Sequence, residues 1–205
     1  MKIKICGLNP TRDVQTCIDL NVHFLGFVFY DKSPRNTELK EISILKRYNP
    51  EKSLYVSVCV DPTDTFIKEN ILGNFEYIQL HGSEASERVK EIKNMGIKVI
   101  KAIKVKEQKD VSLYKNYEDI ADLILFDSTS MEKSQSIPKD LLHKLPKGEK
   151  FGLAGAINLE NIQEYSQLGF NFLDLSSGLE RENLKGYKDH LKIKSFINKI
   201  NELKN

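Results

Sequence analysis

An α/β fold of the (β/α)8 barrel type is what this chain predicts, and three observations predict it. Short apolar runs alternate with amphipathic, helix-spaced stretches from one end of the chain to the other. Eight such pairs fit into 205 residues, a repeat of about 26 residues, close to the lower size limit of the barrel. Most of the runs are continuously apolar, as strands must be when a parallel sheet is covered on both faces. A doubly wound sheet normally needs fewer strands, and neither G-x-G-x-x-G nor a P-loop occurs. No linker, low-complexity tract or charge block divides the chain, so residues 1–205 read as one barrel domain.

The predicted strands follow in order. Lys2 to Cys6 alternates polar and apolar residues, and Phe24 to Phe29 is an unbroken apolar run. Next come Leu54 to Val60, Tyr77 to Leu80, Lys98 to Ile103, Leu123 to Phe126, Phe151 to Ala154 and Phe172 to Leu175. Between the second and third strands, Leu39, Ile42, Leu45 and Tyr48 recur at helical spacing over Glu38 to Tyr48, with Thr37 placed to cap that helix. Pro62, the Ser83/Glu84 pair and Pro138 mark helix starts after strands three, four and six.

Composition narrows the function. The 31 basic residues are 26 Lys and 5 Arg scattered among 29 acids, and a net charge of +2 leaves no nucleic-acid footprint. No run of 18 apolar residues occurs, so neither a signal peptide nor a membrane span is expected. Cys6, Cys17 and Cys59 are an odd number at wide spacings with no C-x-x-C pair, which points to a reducing, cytoplasmic setting.

Active sites of such barrels are built at the C-terminal ends of the strands, so the polar residues that follow each apolar run are the candidates. They are Cys6, the segment Tyr30 to Arg35, Asp61, His81, Lys104, Asp127, Gly155 and Asp174 to Gly178. Cys6 is either a small buried hydrophobe or a base; an unperturbed thiol is roughly one-tenth thiolate near pH 7.5. Cys17 and Cys59 fall inside a helix and a strand and read as packing residues. Asp127 follows L-I-L-F directly, where it is either a helix cap or a carboxyl held protonated enough to act as a general acid opposite Cys6.

Arg35 stands in the loop Asp31-Lys32-Ser33-Pro34-Arg35, where its planar fork suits a carboxylate unless it is simply solvated. Small residues open the loops after strands seven and eight, at Gly155-Ala156 and Ser176-Ser177-Gly178. Either is a tight turn alone; together they favour a phosphate held by backbone N–H groups. His81 either titrates near neutrality or is a satisfied strand-end histidine.

With these residues placed, the chain resembles the phosphoribosylanthranilate isomerase family across almost its whole length. The segments that carry the resemblance are Lys4-Ile5-Cys6-Gly7, Gly26 to Tyr30 followed by Lys32 to Arg35, Gln79-Leu80-His81-Gly82, Leu153-Ala154-Gly155, and Asp174 to Glu180 with Gly186 and Lys188-Asp189. The resemblance implies a (β/α)8 barrel and an Amadori rearrangement of a phosphorylated small molecule, without metal or organic cofactor. It implies Cys6 as general base and Asp127 as general acid. Arg35 would hold the anthranilate carboxylate, Gly155, Ala156, Ser177 and Gly178 the phosphate, and Asp174 and His81 would line the substrate site. A monomer or homodimer is expected.

The related aminoaldose isomerase of histidine biosynthesis typically has aspartate where this chain has Cys6, and a second phosphate site is not found. A degenerate barrel that binds without turnover is the remaining rival. The chain departs from the family pattern after Asp127, where S-T-S-M-E-K-S-Q-S-I-P replaces a glycine-rich run, and at Ala156, where a second glycine is common. Residues other than glycine resist positive φ, so the loop from Ser128 to Ile137 is expected to take its own path, mobile without substrate and ordered with it.

Overall fold

The computed structural model describes residues 1–128 and 136–203. Residues 129–135, which hold most of the loop just discussed, lie outside the described residues, as do 204–205. Eight parallel strands close into a barrel in sequence order: β1 (Lys2–Cys6), β2 (Phe24–Phe29), β3 (Leu54–Cys59), β4 (Tyr77–Leu80), β5 (Lys98–Lys104), β6 (Leu123–Asp127), β7 (Gly148–Ala154) and β8 (Phe170–Leu175). The (β/α)8 prediction is therefore met, with strand ends shifted by a few residues. β5 and β6 each gain a polar residue because the ladder is a backbone property: Lys104 pairs in register with Asp127. β7 and β8 begin earlier for the same reason, through Gly148 and Phe170.

The intervening helices are short. They are α1 (Val14–Asp19), α2 (Ile42–Leu45) after a 3-10 turn at Leu39–Glu41, α3 (Asp64–Phe66) continued by a π turn at Ile67–Ile71, α4 (Ser86–Asn94), α5 (Lys139–Leu142), α6 (Ile162–Ser166) and α7 (His190–Glu202). Between β5 and β6 a 3-10 run, Gln108–Asn116, takes the helical place. Among the described residues no helix is long and apolar enough to cross a membrane.

Two expected helix starts differ. Glu38, not Thr37, caps the turn before α2, because it forms a reciprocal capping box with Glu41. The Thr37 N–H is already committed to the Val28 carbonyl, which seats Thr37 beside β2. Helix α4 starts after Ala85, beyond Ser83 and Glu84. Glu84 turns inward to Lys101 at 2.6 Å and accepts the N–H groups of Asp61 and Gly82, so it pins the loop after β4 instead of capping. Thr63, next to Pro62, and Pro138 do stand at helix starts.

Two apolar layers follow from the strand alternation. Outward residues such as Ile3, Ile5, Leu25, Phe27, Ile78, Ile124 and Leu173 pack against the helices, and Val14, Val89, Ile162, Ile193 and Phe196 answer from the other side. Each such side chain contributes about 1.5–3 kcal/mol relative to exposure. Inward residues form a second cluster, with Phe24 edge-on to both Tyr77 and Phe172 at 5.6 Å, closing the lower barrel. Above that plug the interior is not the usual stack of branched apolar side chains. Lys4, Gln79 and Asp174 are buried there, each no more than 7% exposed.

One element was not expected. After β8 a hairpin, β9 (Glu180–Arg181) and β10 (Leu184–Lys188), turns at Glu182-Asn183, where Asn183 takes a left-handed φ of 61°.

Candidate active site

All eight strands point the same way, so every residue at a strand's C-terminal end meets at one mouth. Cys6, Asp127 and Asp174 stand on β1, β6 and β8, His81 just beyond β4, and Arg35 in the loop after β2. Gly155, Ala156, Ser177 and Gly178 open the loops after β7 and β8. Asp61 and Lys104 share the rim, but Asp61 spends its carboxylate on the Ser83 N–H and serves the loop.

On β1 the pleat turns Lys4 and Cys6 to the same inward face, and Lys4 is in direct register with Asp174. The Lys4 ammonium lies 2.7 Å from Asp174 Oδ2 with no solvent exposure, and its charge acts on the neighbouring Cys6 thiol. Gly26 makes the space: a Cβ there would sit 3.2 Å from Lys4 Nζ and 3.1 Å from Cys6 Cα. Cys6 is part-exposed and packs beside the inner apolar cluster. Burial pushes its thiol above the ordinary range, with Lys4 and Lys188 pulling down and Asp174 pushing up. The thiolate fraction of the free protein is therefore below that of an unperturbed cysteine. Asp174 is likewise held high by burial, partly offset by Lys4, with the Asp127 charge adding to the rise and His81 opposing it. Lys4, gripped by both neighbours, stays charged above its ordinary value although burial alone would lower it.

Across the mouth, Asp127 ends β6 and caps no helix among the described residues, where α5 begins after Pro138. Its Oδ2 is 3.3 Å from His81 Nε2, and His81 Nδ1 is 3.3 Å from the Gln79 amide nitrogen. With the Gln79 amide assigned this way its nitrogen donates to Nδ1, which leaves the ring hydrogen on Nε2 for Asp127.

Arg35 is not a solvated loop residue. Its Nε and Nη2 bind the two carboxylate oxygens of Glu180 at 2.6 and 3.0 Å. That bidentate pair uses the side edge of the guanidinium and, among the described residues, leaves Nη1 without an acceptor. Burial opposes a charged Glu180, but Arg35 and Lys188 outweigh it and hold the carboxyl below its usual range. Lys188, fully buried, bonds Glu180 Oε1 at 3.3 Å and the Ser176 carbonyl at 3.0 Å. Ser176 Oγ in turn donates to the Cys6 carbonyl at 3.1 Å.

The loops after β7 and β8 touch one another, for a Cβ on Gly178 would meet the Ile157 carbonyl oxygen at 2.5 Å. Gly155 and Ala156 both have positive φ, 102° and 51°. Asn161 fixes that bend by donating to the Ala156 carbonyl and accepting from the Asn158 N–H, both at 2.9 Å. Among the described residues the N–H groups of Gly155 and Ala156 find no protein acceptor. Converging backbone donors of this kind suit an anion.

Lys4, Gln79, Glu180 and Lys188 are site residues to which the sequence reading gave no role, although all four stand in the segments that carry the resemblance. A signal existed for Lys4: once Cys6 is taken as inward, period-two alternation puts Lys4 on the same face. For Glu180 and Lys188 the only signal was their place in the segments that carry the resemblance, because periodicity does not show that the hairpin folds them back onto the rim.

The family described as N-(5'phosphoribosyl)anthranilate (PRA) isomerase matches residues 3–199 of the chain. A relative from Aquifex aeolicus named N-(5'-phosphoribosyl)anthranilate isomerase is 35% identical over 209 residues, covering 96% of this chain and 97% of its own. The phosphoribosyl anthranilate isomerase of Thermus thermophilus superposes with a TM-score of 0.86 at 25% identity, covering 99% of this chain and 100% of that one. A further solved isomerase, with TM-score 0.82, 27% identity and coverage of 98% and 99%, is in complex with reduced 1-(o-carboxyphenylamino)-1-deoxyribulose 5-phosphate.

Proposed function

Because the chain belongs to the N-(5'-phosphoribosyl)anthranilate isomerase family, enzymes of tryptophan biosynthesis, we propose that its barrel mouth performs the family's rearrangement with Cys6 as general base and Asp127 as general acid. The family's activity converts phosphoribosylanthranilate to 1-(2-carboxyphenylamino)-1-deoxyribulose 5-phosphate. Protonated Asp127 gives its proton to the ribose ring oxygen as the C1′–O bond breaks and the anilino nitrogen's lone pair forms C1′=N. The Cys6 thiolate then takes the C2′ proton, leaving an enol at C2′ and an enamine. Protonation at C1′ from Cys6 and loss of the enol proton towards Asp127 give the ketone, restore both residues and leave no net proton change.

One observation carries this reading: Cys6 ends β1 and Asp127 ends β6 on one rim of the closed barrel, with the buried Lys4–Asp174 pair, 2.7 Å apart, beside Cys6. The other roles follow from position. The open edge of Arg35 takes the anthranilate carboxylate while Glu180 holds the other edge. Gly155, Ala156, Ser177 and Gly178 hold the phosphate, and Asp174 and His81 line the substrate between them. We read residues 1–205 as one catalytic domain, a monomer or homodimer acting in the cytoplasm on a phosphorylated small molecule.

The test is a complex with the reduced product analogue, joined to an assay of both aminoaldose substrates. Phosphate against Gly155 and Gly178, the aryl carboxylate on Arg35, and turnover of phosphoribosylanthranilate alone are expected. Phosphate at another strand end, or preferred turnover of the histidine-pathway substrate, would overturn the assignment.

A further inference from the structure

The buried pair beneath the mouth needs its own explanation. The interior layer at Lys4 and Asp174 would ordinarily be filled by branched apolar side chains, and a well-packed apolar pair is commonly no less stable than a buried ion pair. This pair is also incompletely used: Asp174 Oδ1 is buried and has no hydrogen-bond partner among the described residues. Its geometry is specific all the same. Register places Asp174 opposite Lys4, the pleat places Cys6 on the same face as Lys4, and the missing side chain of Gly26 lets the ammonium lie beside the Cys6 backbone.

We propose that Lys4 and Asp174 are positioning residues that set how readily Cys6 ionises, the ammonium favouring the thiolate and the carboxylate restraining it. The inference rests on the reading of Cys6 as the base, and it deepens that reading by naming what makes a half-covered thiol usable. Lys4 is held on Asp174 Oδ2 while Gly26 leaves its ammonium room beside Cys6, so the positive charge is fixed close to where the thiolate forms. Asp174 keeps that charge from being fully available to Cys6. Among the described residues the remaining charged group facing Cys6 is Lys188 from the hairpin, whose ammonium is already bonded to Glu180 and Ser176; Asp127 and His81 reach Asp174 from across the mouth. Burial pushes the thiol upward, and the paired cation is what opposes it most strongly.

The experiment is alkylation of Cys6 by iodoacetamide as a function of pH, followed on the Cys6 peptide by mass spectrometry. The thiolate displaces iodide to form the thioether, so the rate profile reports the ionisation midpoint; Cys17 and Cys59 are buried and are resolved as separate peptides. Lys4→Met should move the midpoint up by about one pH unit, and Asp174→Asn should move it down by about one unit. Opposite signs are the diagnostic, because loosened packing moves both variants the same way. Asp174→Asn keeps the side-chain shape and decides the matter should Lys4→Met fail to fold. An unmoved or raised midpoint in Asp174→Asn would overturn the proposal, as would a lowered one in Lys4→Met. Turnover by Cys6→Ser is measured alongside: normal turnover there removes Cys6 as base, whereas unmoved midpoints with an inactive Cys6→Ser remove only the tuning pair.

Discussion

Ala156 shows at the scale of one residue how a departure from the family pattern is accommodated. It keeps the left-handed bend, φ 51°, that a glycine would adopt freely, and Asn161 holds the bend from outside. A left-handed alanine is strained by about 1–2 kcal/mol, part of which glycine would return through its freer unfolded chain. Ala156→Gly should therefore stabilise the protein by about 0.5–1 kcal/mol in urea titration without weakening phosphate binding. A destabilised variant would mean that the alanine methyl packs favourably enough to outweigh the strain. The same scale explains what could be foreseen of the site. Cys6, Asp127 and Asp174 were legible because each closes or breaks an apolar run, which in a parallel barrel places it at the mouth. Lys4 was less so, since K-I-K-I-C looks like an ordinary strand with its lysines in water, and its alternation with Cys6 tells only once closure of the barrel buries that inner face.

Among the elements, the hairpin after β8 is the clearest case of structure that periodicity leaves hidden. Its strands are polar, E-R and L-K-G-Y-K, and draw their order from packing across the mouth, not from an apolar stripe of their own. Gly186 fixes the crossing, with φ 81° and the Pro34 carbonyl oxygen directly against the position of a Cβ. Through it the hairpin bears on the loop that carries Arg35, and Glu180 at its start completes the clamp. Gly186→Ala should cost at least about 1–2 kcal/mol of stability for the left-handed φ alone. It should also raise KM by roughly tenfold, about 1.4 kcal/mol of binding, with a smaller effect on kcat. Lost stability with an unchanged KM would show that the hairpin does not hold Arg35 in place. The short helices were over-read for a related reason: Leu39 recurs at helical spacing over Glu38 to Tyr48, yet it is half exposed, and only Ile42 and Leu45 of that stretch are buried in a regular turn.

For the whole molecule, the barrel's closure is what turns eight separately legible strand ends into one site. Strands β1, β6 and β8 are far apart in sequence, and their order in the sheet brings a thiol, a carboxyl and a buried ion pair to one opening. The strand runs made that closure predictable, because continuous apolar segments leave a parallel sheet with no polar face to expose. The electrostatic balance inside it was not predictable, since it depends on Lys4, Lys188 and Asp174 meeting around Cys6 from three elements. The central claim is that Cys6 and Asp127 divide the two proton transfers between them. It is tested most directly by kcat for phosphoribosylanthranilate in the parent chain and in Cys6→Ser and Asp127→Asn, with folding checked by circular dichroism. Each variant should lose roughly two to four orders of magnitude in kcat while remaining folded; near-parental turnover in either one would contradict the account by removing that residue from the chemistry.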